Sequence, residues 1–173
     1  MQAVVVKFEI RPRVDDDLDA CAALARATHS RDGYPAYVRD DDFLRFVSRP
    51  GALAAWVAEI DGAVSGHVAL HTRTTEPAMQ LVASRLGVSP EQCGVIARLM
   101  VLPDARRRGV GAALLQSATD GARARGLEPI LDVVTRHDAA IALYESAGWL
   151  RVGSVTLVLP DGSKLEEHVY RAP

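Results

Sequence analysis

The chain has 173 residues, of which 49% are hydrophobic and 24% charged, and its net charge is -2 at pH 7. This is the size and composition of one soluble globular domain, and the balanced charge gives no reason to expect nucleic acid or an anionic membrane as a partner. No apolar run reaches the roughly 18 residues of a membrane span, and no basic segment followed by an apolar one opens the chain. The two cysteines, Cys21 and Cys93, fit neither a disulfide framework nor a zinc site. We therefore expect a cytoplasmic protein with no metal site.

The first half of the chain predicts three strands and two helices. β-branched and aromatic residues predict a strand, acidic residues before an apolar periodicity predict a helix start, and Asp61-Gly62 predicts a hairpin turn. The predicted elements are a strand at Ala3–Ile10, a helix at Asp15–His29, a loop at Ser30–Arg39, a short helix at Asp40–Arg49, and strands at Ala54–Ile60 and Ala63–Thr72.

The second half predicts alternating helices and strands, with glycines as helix ends. The predicted elements are helices at Glu76–Leu86, Gly109–Arg125 and Asp138–Ser146, and strands at Gly94–Leu102, Pro129–Val134, Leu150–Leu159 and Lys164–Arg171. A helix between two strands predicts a parallel pair, whereas hairpins predict antiparallel neighbours. The fold class is therefore α/β, with a mixed, twisted, mostly antiparallel sheet, flanking helices and a central parallel pair formed by Gly94–Leu102 and Pro129–Val134.

The start of the predicted Gly109 helix is unfavourable for an isolated helix. Arg106, Arg107 and Arg108 stand at the positive end of the helix dipole, where each cation is unfavourable by roughly 0.3–1 kcal/mol. Gly109 and Gly111 each cost about 1 kcal/mol relative to alanine. A phosphate docked on the first-turn amides would offset both costs, and the alternative is a solvated turn. A nucleotide-binding P-loop motif is absent from the sequence, and Leu114 replaces the third glycine of the dinucleotide fingerprint.

Two segments together resemble the GCN5-related N-acetyltransferase family. Val101-x-Pro103 followed by Arg106-x-x-Gly109-x-Gly111 is similar to its acetyl-CoA signature, and Ala140-x-x-Leu143-Tyr144 ending in Gly148-Trp149 is similar to its second signature. The match covers about 94–149. The resemblance implies one N-acetyltransferase domain over 1–173, with acceptor-side elements in 1–93, an acetyl-CoA-binding core in 94–149 and a closing hairpin in 150–173.

The resemblance also implies roles for individual residues. The strand backbone would pair with the pantetheine arm, first-turn amides and arginines would hold the pyrophosphate, and a strand N–H would polarise the thioester carbonyl. Tyr144 would protonate the leaving thiolate, and its alternative is a packed aromatic residue. The residues implied to contact acetyl-CoA are Leu99, Met100, Val101, Arg106, Arg107, Arg108, Gly109, Val110, Gly111, Ala112, His137 and Ala140.

The sequence departs from the family at two points. His137 stands where the family often has Asn, and the strand Gly94–Leu102 has no carboxylate to act as general base. His67 and His71 alternate with apolar residues and share one strand face, so either is a candidate base or a satisfied structural histidine. Asp132 and Glu59 are weaker candidates, and the base is left unassigned.

The resemblance implies a small-molecule or peptide amine as the acceptor. Tyr34 and Tyr37 are candidates for a pocket wall, and Asp40–Asp42 either attract a cationic amine or cap a helix. Two alternatives to acetyl transfer are a non-catalytic acyl-CoA sensor and an acyltransferase that uses a longer acyl-CoA. Homodimerisation through the closing hairpin is a further expectation.

Overall fold

The computed structural model describes residues 7–173, so Ala3–Val6 of the first predicted strand lie outside the described part of the chain. The elements follow the predicted order. The strands are β1 (Phe8–Pro12), β2 (Ala52–Ile60), β3 (Ala63–His71), β4 (Cys93–Val101), β5 (Glu128–Val134), β6 (Leu150–Val158) and β7 (Lys164–Arg171). The α-helices are α1 (Leu18–Asp32), α2 (Phe43–Val47), α3 (Glu76–Leu86), α4 (Val110–Arg123) and α5 (Asp138–Ser146).

Glycines in the left-handed region determine several helix ends. α1 runs three residues past its predicted end at His29, because the left-handed residue that terminates it is Gly33, with φ 69°. α3 ends as predicted before Gly87, with φ 66°. α4 begins at Val110 and not at Gly109, because Gly109 has φ 83° and cannot belong to a right-handed helix.

The strands form a seven-stranded sheet in the order β1-β2-β3-β4-β5-β7-β6. β4 and β5 pair in parallel, with Cys93 opposite Glu128 and Val95 opposite Ile130, which confirms the predicted parallel pair. β1 with β2, β5 with β7, and β6 with β7 are antiparallel. The mixed, mostly antiparallel sheet with flanking helices is therefore confirmed.

The chain divides into two compact units, and the first comprises residues up to Ala69 together with Arg98–Ala118. Its hydrophobic core brings α1, α2 and strands of the sheet together. The fully or almost fully buried members of this core are Cys21, Leu24, Ala25, Phe43, Val47, Val57 and Met100. The apolar side of α1 is thus buried, as is typical of an amphipathic helix that packs on a sheet.

The second unit comprises Leu70–Ala97 together with Thr119–Pro173. One face of α3 packs there against side chains of β4, β5 and β7. The buried members of this core are Ala78, Met79, Val82, Cys93, Val95, Ile130 and Val169. Alternation along the strands then assigns every second side chain of β5 and β7 to the α3 side of the sheet.

Candidate active site

The loop before α4 has the backbone geometry of an anion-binding helix start. Gly109 is exposed, and a Cβ built on it would meet no atom within 4 Å, so its left-handed φ, rather than lack of space, requires glycine. Arg107 also has a positive φ, of 56°. The first turn of α4 carries no acidic side chain. Because the first N–H groups of a helix have no carbonyl partner inside it, this turn presents donors and positive potential.

Arg106 has a different environment from its two neighbours in the sequence. Its Nε donates to the carbonyl oxygen of Val101 at 3.0 Å, and its guanidinium forms an ion pair with Asp32 at the end of α1. Arg106 therefore ties the loop to β4 and to α1 within the first unit. The family resemblance assigned this charge to the pyrophosphate, whereas the structure pairs it with a carboxylate.

β4 contains a strained residue directly before the segment Leu99–Val101. Arg98 has φ 55°, a left-handed conformation that is uncommon for a residue other than glycine. Its carbonyl oxygen accepts a hydrogen bond from Nδ1 of His67 at 2.9 Å. The His67 side chain on β3 therefore holds the kink in place. The kink changes the direction of the backbone N–H groups that follow Arg98.

His67 is a structural residue, not a base. It is 0% exposed, and Arg13 donates to its Nε2 at 3.1 Å while its Nδ1 bonds the Arg98 carbonyl. Since a carbonyl can only accept and a guanidinium can only donate, the ring is neutral with its proton on Nδ1. Burial lowers the pKa of His67 to about 4, with the charges of Arg13 and Arg98 as smaller causes. His71, the other candidate, is buried at the end of β3.

Tyr144 lies on α5 inside an aromatic cluster of the second unit. Its ring centroid is 6.1 Å from that of Tyr170 and 6.4 Å from that of Trp149. The hydroxyl of Tyr170 donates to Glu145 at 2.8 Å. Tyr144 as a whole is buried, with 8% of its surface exposed. This placement suits both a packed aromatic residue and a shielded proton donor.

The two remaining residues implied to contact the cofactor lie at the start of α5, in the same unit as Tyr144. His137 is the N-cap residue, and its backbone N–H donates to the carbonyl oxygen of Val134 at 3.0 Å. Ala140 is half-buried in the first turn. Leu99–Val101 and Arg106–Ala112, in contrast, belong to the first unit.

A pair of carboxyl groups with raised pKa values lies on β5 and β7. Asp132 on β5 is half-buried and accepts a hydrogen bond from the hydroxyl of Thr74. Removal of this carboxyl from solvent raises its pKa, while the Thr74 bond opposes the rise. Glu167 on β7 is 8% exposed, and burial followed by the charge of Asp132 raises its pKa to about 7. Sequence reasoning ranked Asp132 low and missed Glu167.

The expected acceptor-side residues have ordinary structural partners. Asp42 is the N-cap of α2 and accepts a bond from the backbone N–H of Arg45 at 2.9 Å, which confirms the capping alternative for this acid. Glu59 accepts a bond from Arg11 at 2.9 Å, so it is a weak candidate for the base. Tyr34 packs against the core of the first unit, whereas Tyr37 is 52% exposed.

Comparison with known proteins decides the family. The model of the acetyltransferase (GNAT) family matches residues 18–149, well over half of the chain. The chain belongs to the acetyltransferase (GNAT) family. This GNAT match includes the helix start at Gly109, the carboxyl-bearing strand β5 and the whole of α5.

Individual relatives agree with this membership. The N-alpha-acetyltransferase RimI of Mycobacterium tuberculosis is 43% identical over 70 residues, which are 40% of this chain and 43% of the relative, so the match spans less than half of that protein. A ribosomal-protein-alanine N-acetyltransferase from Brucella melitensis superposes with TM-score 0.68 at 23% identity, covering 94% of this chain and 98% of its own. Arabidopsis thaliana NAA60 in complex with acetyl-CoA superposes with TM-score 0.70 at 19% identity, covering 95% and 97%. The fold of this GNAT chain is thus that of these structures.

Metal-binding clusters and membrane-spanning helices are both absent from the described residues. Over 7–173, no cluster of three or more His, Cys, Asp or Glu side chains has the arrangement of a metal site. In the same range, no helix combines the length and the apolar character that crossing a membrane requires.

Proposed function

We propose that this chain transfers the acetyl group of acetyl-CoA to a primary amine by direct attack of the amine on the thioester. The observation that carries the proposal is the carboxyl pair of Asp132 and Glu167 in a GNAT fold that lacks an acid on β4. A general base works best when its pKa lies near the working pH, and the pKa values of both carboxyls are raised towards neutral pH. The pair therefore offers the base whose absence motivated the sensor alternative.

The cofactor half of the proposal rests on the first unit. Backbone amides from Arg107 to Ala112 hold the pyrophosphate at the start of α4, and Arg108 adds positive charge. Arg106 contributes by fixing the loop through Val101 and Asp32. The backbone of Leu99–Val101 bonds the pantetheine arm as an added strand would. Contacts from His137 and Ala140, at the start of α5, remain predictions from the family resemblance.

The chemical steps use one base, one oxyanion donor and one acid. Asp132 takes a proton from the amine as its nitrogen bonds to the thioester carbon. A backbone N–H after the kink at Arg98 stabilises the oxyanion of the tetrahedral intermediate. The intermediate then collapses, the C–S bond breaks, and Tyr144 donates its proton to the leaving thiolate. Solvent then takes the proton held by Asp132 and returns one to the tyrosine.

The register of β5 supports separate positions for acid and base. Leu131 pairs with Tyr170, whose ring lies against Tyr144, whereas Asp132 pairs with Val169. Adjacent residues of a strand point to opposite faces, so Asp132 and the Tyr170 ring lie on opposite faces of β5 and β7.

The acceptor we propose to test first is the α-amino group of a peptide. The relatives from Mycobacterium tuberculosis and Brucella melitensis are, by name, an N-alpha-acetyltransferase and a ribosomal-protein-alanine N-acetyltransferase. A peptide with an N-terminal alanine is thus the first substrate of choice, with small-molecule amines as the second class. A cytoplasmic location and a homodimer through the β6–β7 hairpin remain predictions.

An acceptor screen tests the function. The protein is incubated with acetyl-CoA and a panel containing N-terminal-alanine peptides, a polyamine and free amino acids, and mass spectrometry identifies any acetylated product. We expect at least one amine to gain an acetyl group, with release of free CoA thiol in equal amount. Tight binding of CoA without product from any amine and without thiol release would instead support the sensor alternative.

A further inference from the structure

Glu167 is a buried acid with no structural reason for its charge. It is 8% exposed, and its Oε2 atom is buried without a hydrogen-bond partner in the described structure. Its cross-strand neighbours are Val134 on β5 and Val155 on β6, so it lies between two apolar side chains. A carboxyl in such a place is unfavourable for stability, and a valine or leucine would suit the position better. An unfavourable residue of this kind requires an explanation other than packing.

The strand register places Glu167 diagonally across from Asp132. Asp132 is opposite Val169 and Val134 is opposite Glu167, so the two acids are offset by two residues on paired strands. An offset of two keeps both side chains on the same face of the sheet. Diagonal neighbours are within reach of each other when one side chain is long, as glutamate is.

The two carboxyl groups influence each other's protonation. Removal from solvent disfavours the charged form of both, and the negative charge of Asp132 adds to the effect at Glu167. Two such groups lose their protons in two steps that belong to the pair. The second proton leaves at a higher pH because it must leave against the charge of the first carboxylate.

Several other charged or titratable groups lie around this part of the sheet. Arg73 and Glu76 form an exposed ion pair at the start of α3, and Arg171 lies 3.6 Å from Glu128 farther along the sheet. Burial raises the pKa of Cys93 on β4, which keeps that thiol neutral. His71 is buried at the end of β3, and His168 points to the opposite face, where its ring bonds Ser154.

We propose that Glu167 is a positioning residue for acetyl transfer, because its carboxyl, diagonal to Asp132 on the same face, determines the pH at which Asp132 becomes able to accept the proton of the amine. This inference rests on the proposed function, in which Asp132 is the base. The step is a plain proton transfer: the amine nitrogen loses one proton, an Asp132 oxygen gains it, and the pair becomes less negative by one charge. The second carboxyl adds a deprotonation step at higher pH, and its removal leaves Asp132 to titrate alone.

The test compares Glu167→Gln with two controls. Glu167→Asp keeps the charge on a shorter side chain, and Glu166→Gln removes the same charge from the exposed neighbour, which points to the other face and bonds Thr156. The rate kcat/KM is measured against pH with the panel amine that is acetylated fastest. We expect the acidic limb of Glu167→Gln to move down by about one pH unit or more, while both controls keep a midpoint near wild type.

A second readout separates this proposal from the proposed function. Carbon-13 NMR of the Asp132 carboxyl follows its titration in the free protein, with no acceptor required. A lower Asp132 midpoint in Glu167→Gln than in Glu166→Gln supports the coupling even if no amine is acetylated. An active wild type together with equal midpoints in the two Gln variants, by rate and by NMR, overturns the role of Glu167 and leaves the acetyltransferase function intact.

Discussion

Replacement of Gly109 by alanine separates the cofactor role of this residue from its structural role. Gly109 before α4 and Gly126 after it have φ values of 83° and 70°, and a Cβ at either would meet no atom within 4 Å. Alanine in this region costs about 1–2 kcal/mol, so Gly109→Ala and Gly126→Ala should lose similar amounts of unfolding free energy. Gly126 is thus a matched control for the strain.

The two variants should differ in CoA binding. At Gly109 the strain is relieved by a shift of the loop that presents the first-turn amides, and the new methyl group adjoins the proposed pyrophosphate position. We expect CoA to bind at least about tenfold more weakly to Gly109→Ala, which corresponds to about 1.4 kcal/mol, and nearly unchanged to Gly126→Ala. Urea unfolding measures the stability and calorimetry measures the affinity. Equal affinities in the two variants would refute the placement of the pyrophosphate at this helix start.

Three further predictions follow from the second unit and from the kink in β4. Tyr144→Phe should lower kcat by about 10²–10⁴-fold with little change in CoA affinity, whereas near-full turnover would reduce Tyr144 to a packing residue. His67→Gln should lower stability, because it disturbs the hydrogen bonds to Arg98 and Arg13. The midpoint of the pH–rate profile should stay unchanged, and a shifted midpoint would make His67 a candidate base again. Glu167 has a pKa raised from 4.5 to about 7, so folding binds its proton more tightly and wild-type stability falls as pH rises through this window. Glu167→Gln should therefore match wild type below pH 4.5 and exceed it by about 3 kcal/mol above pH 7, and a pH-independent difference in urea unfolding would contradict this. His67, whose pKa is lowered, makes the stability of both proteins rise with pH over nearly the same window. The difference in unfolding free energy between Glu167→Gln and wild type removes this shared contribution.

Local signals explain which parts of the fold were predictable. α3 and α5 have the predicted bounds, because the residues that stop them, Gly87 and Gly148, act within a few residues of the helix. The hairpin at Asp61-Gly62 formed as predicted, since both residues have positive φ, of 50° and 79°. These features depend on neighbours in the sequence and can be read from it directly.

The missed features depend on contacts between distant residues. The kink at Arg98 is held by His67 from another strand, and the Arg106 charge is paired by Asp32 at the end of α1. The diagonal placement of Asp132 and Glu167 on one face depends on the register of β5 against β7, and no local sequence pattern determines that register. One signal for Glu167 was present: it alternates with Leu165 and Val169, so it occupies an inward position of its strand.

The most direct test of the central claim is the stoichiometry of acetyl transfer. Wild type is mixed with acetyl-CoA and an amine acceptor, and free CoA thiol and acetylated amine are quantified together over time, with Asp132→Asn as the comparison. We expect one acetylated amine for each thiol released, and a parallel loss of both products in Asp132→Asn. Thiol release without acetylated amine, or full transfer by Asp132→Asn, would contradict it.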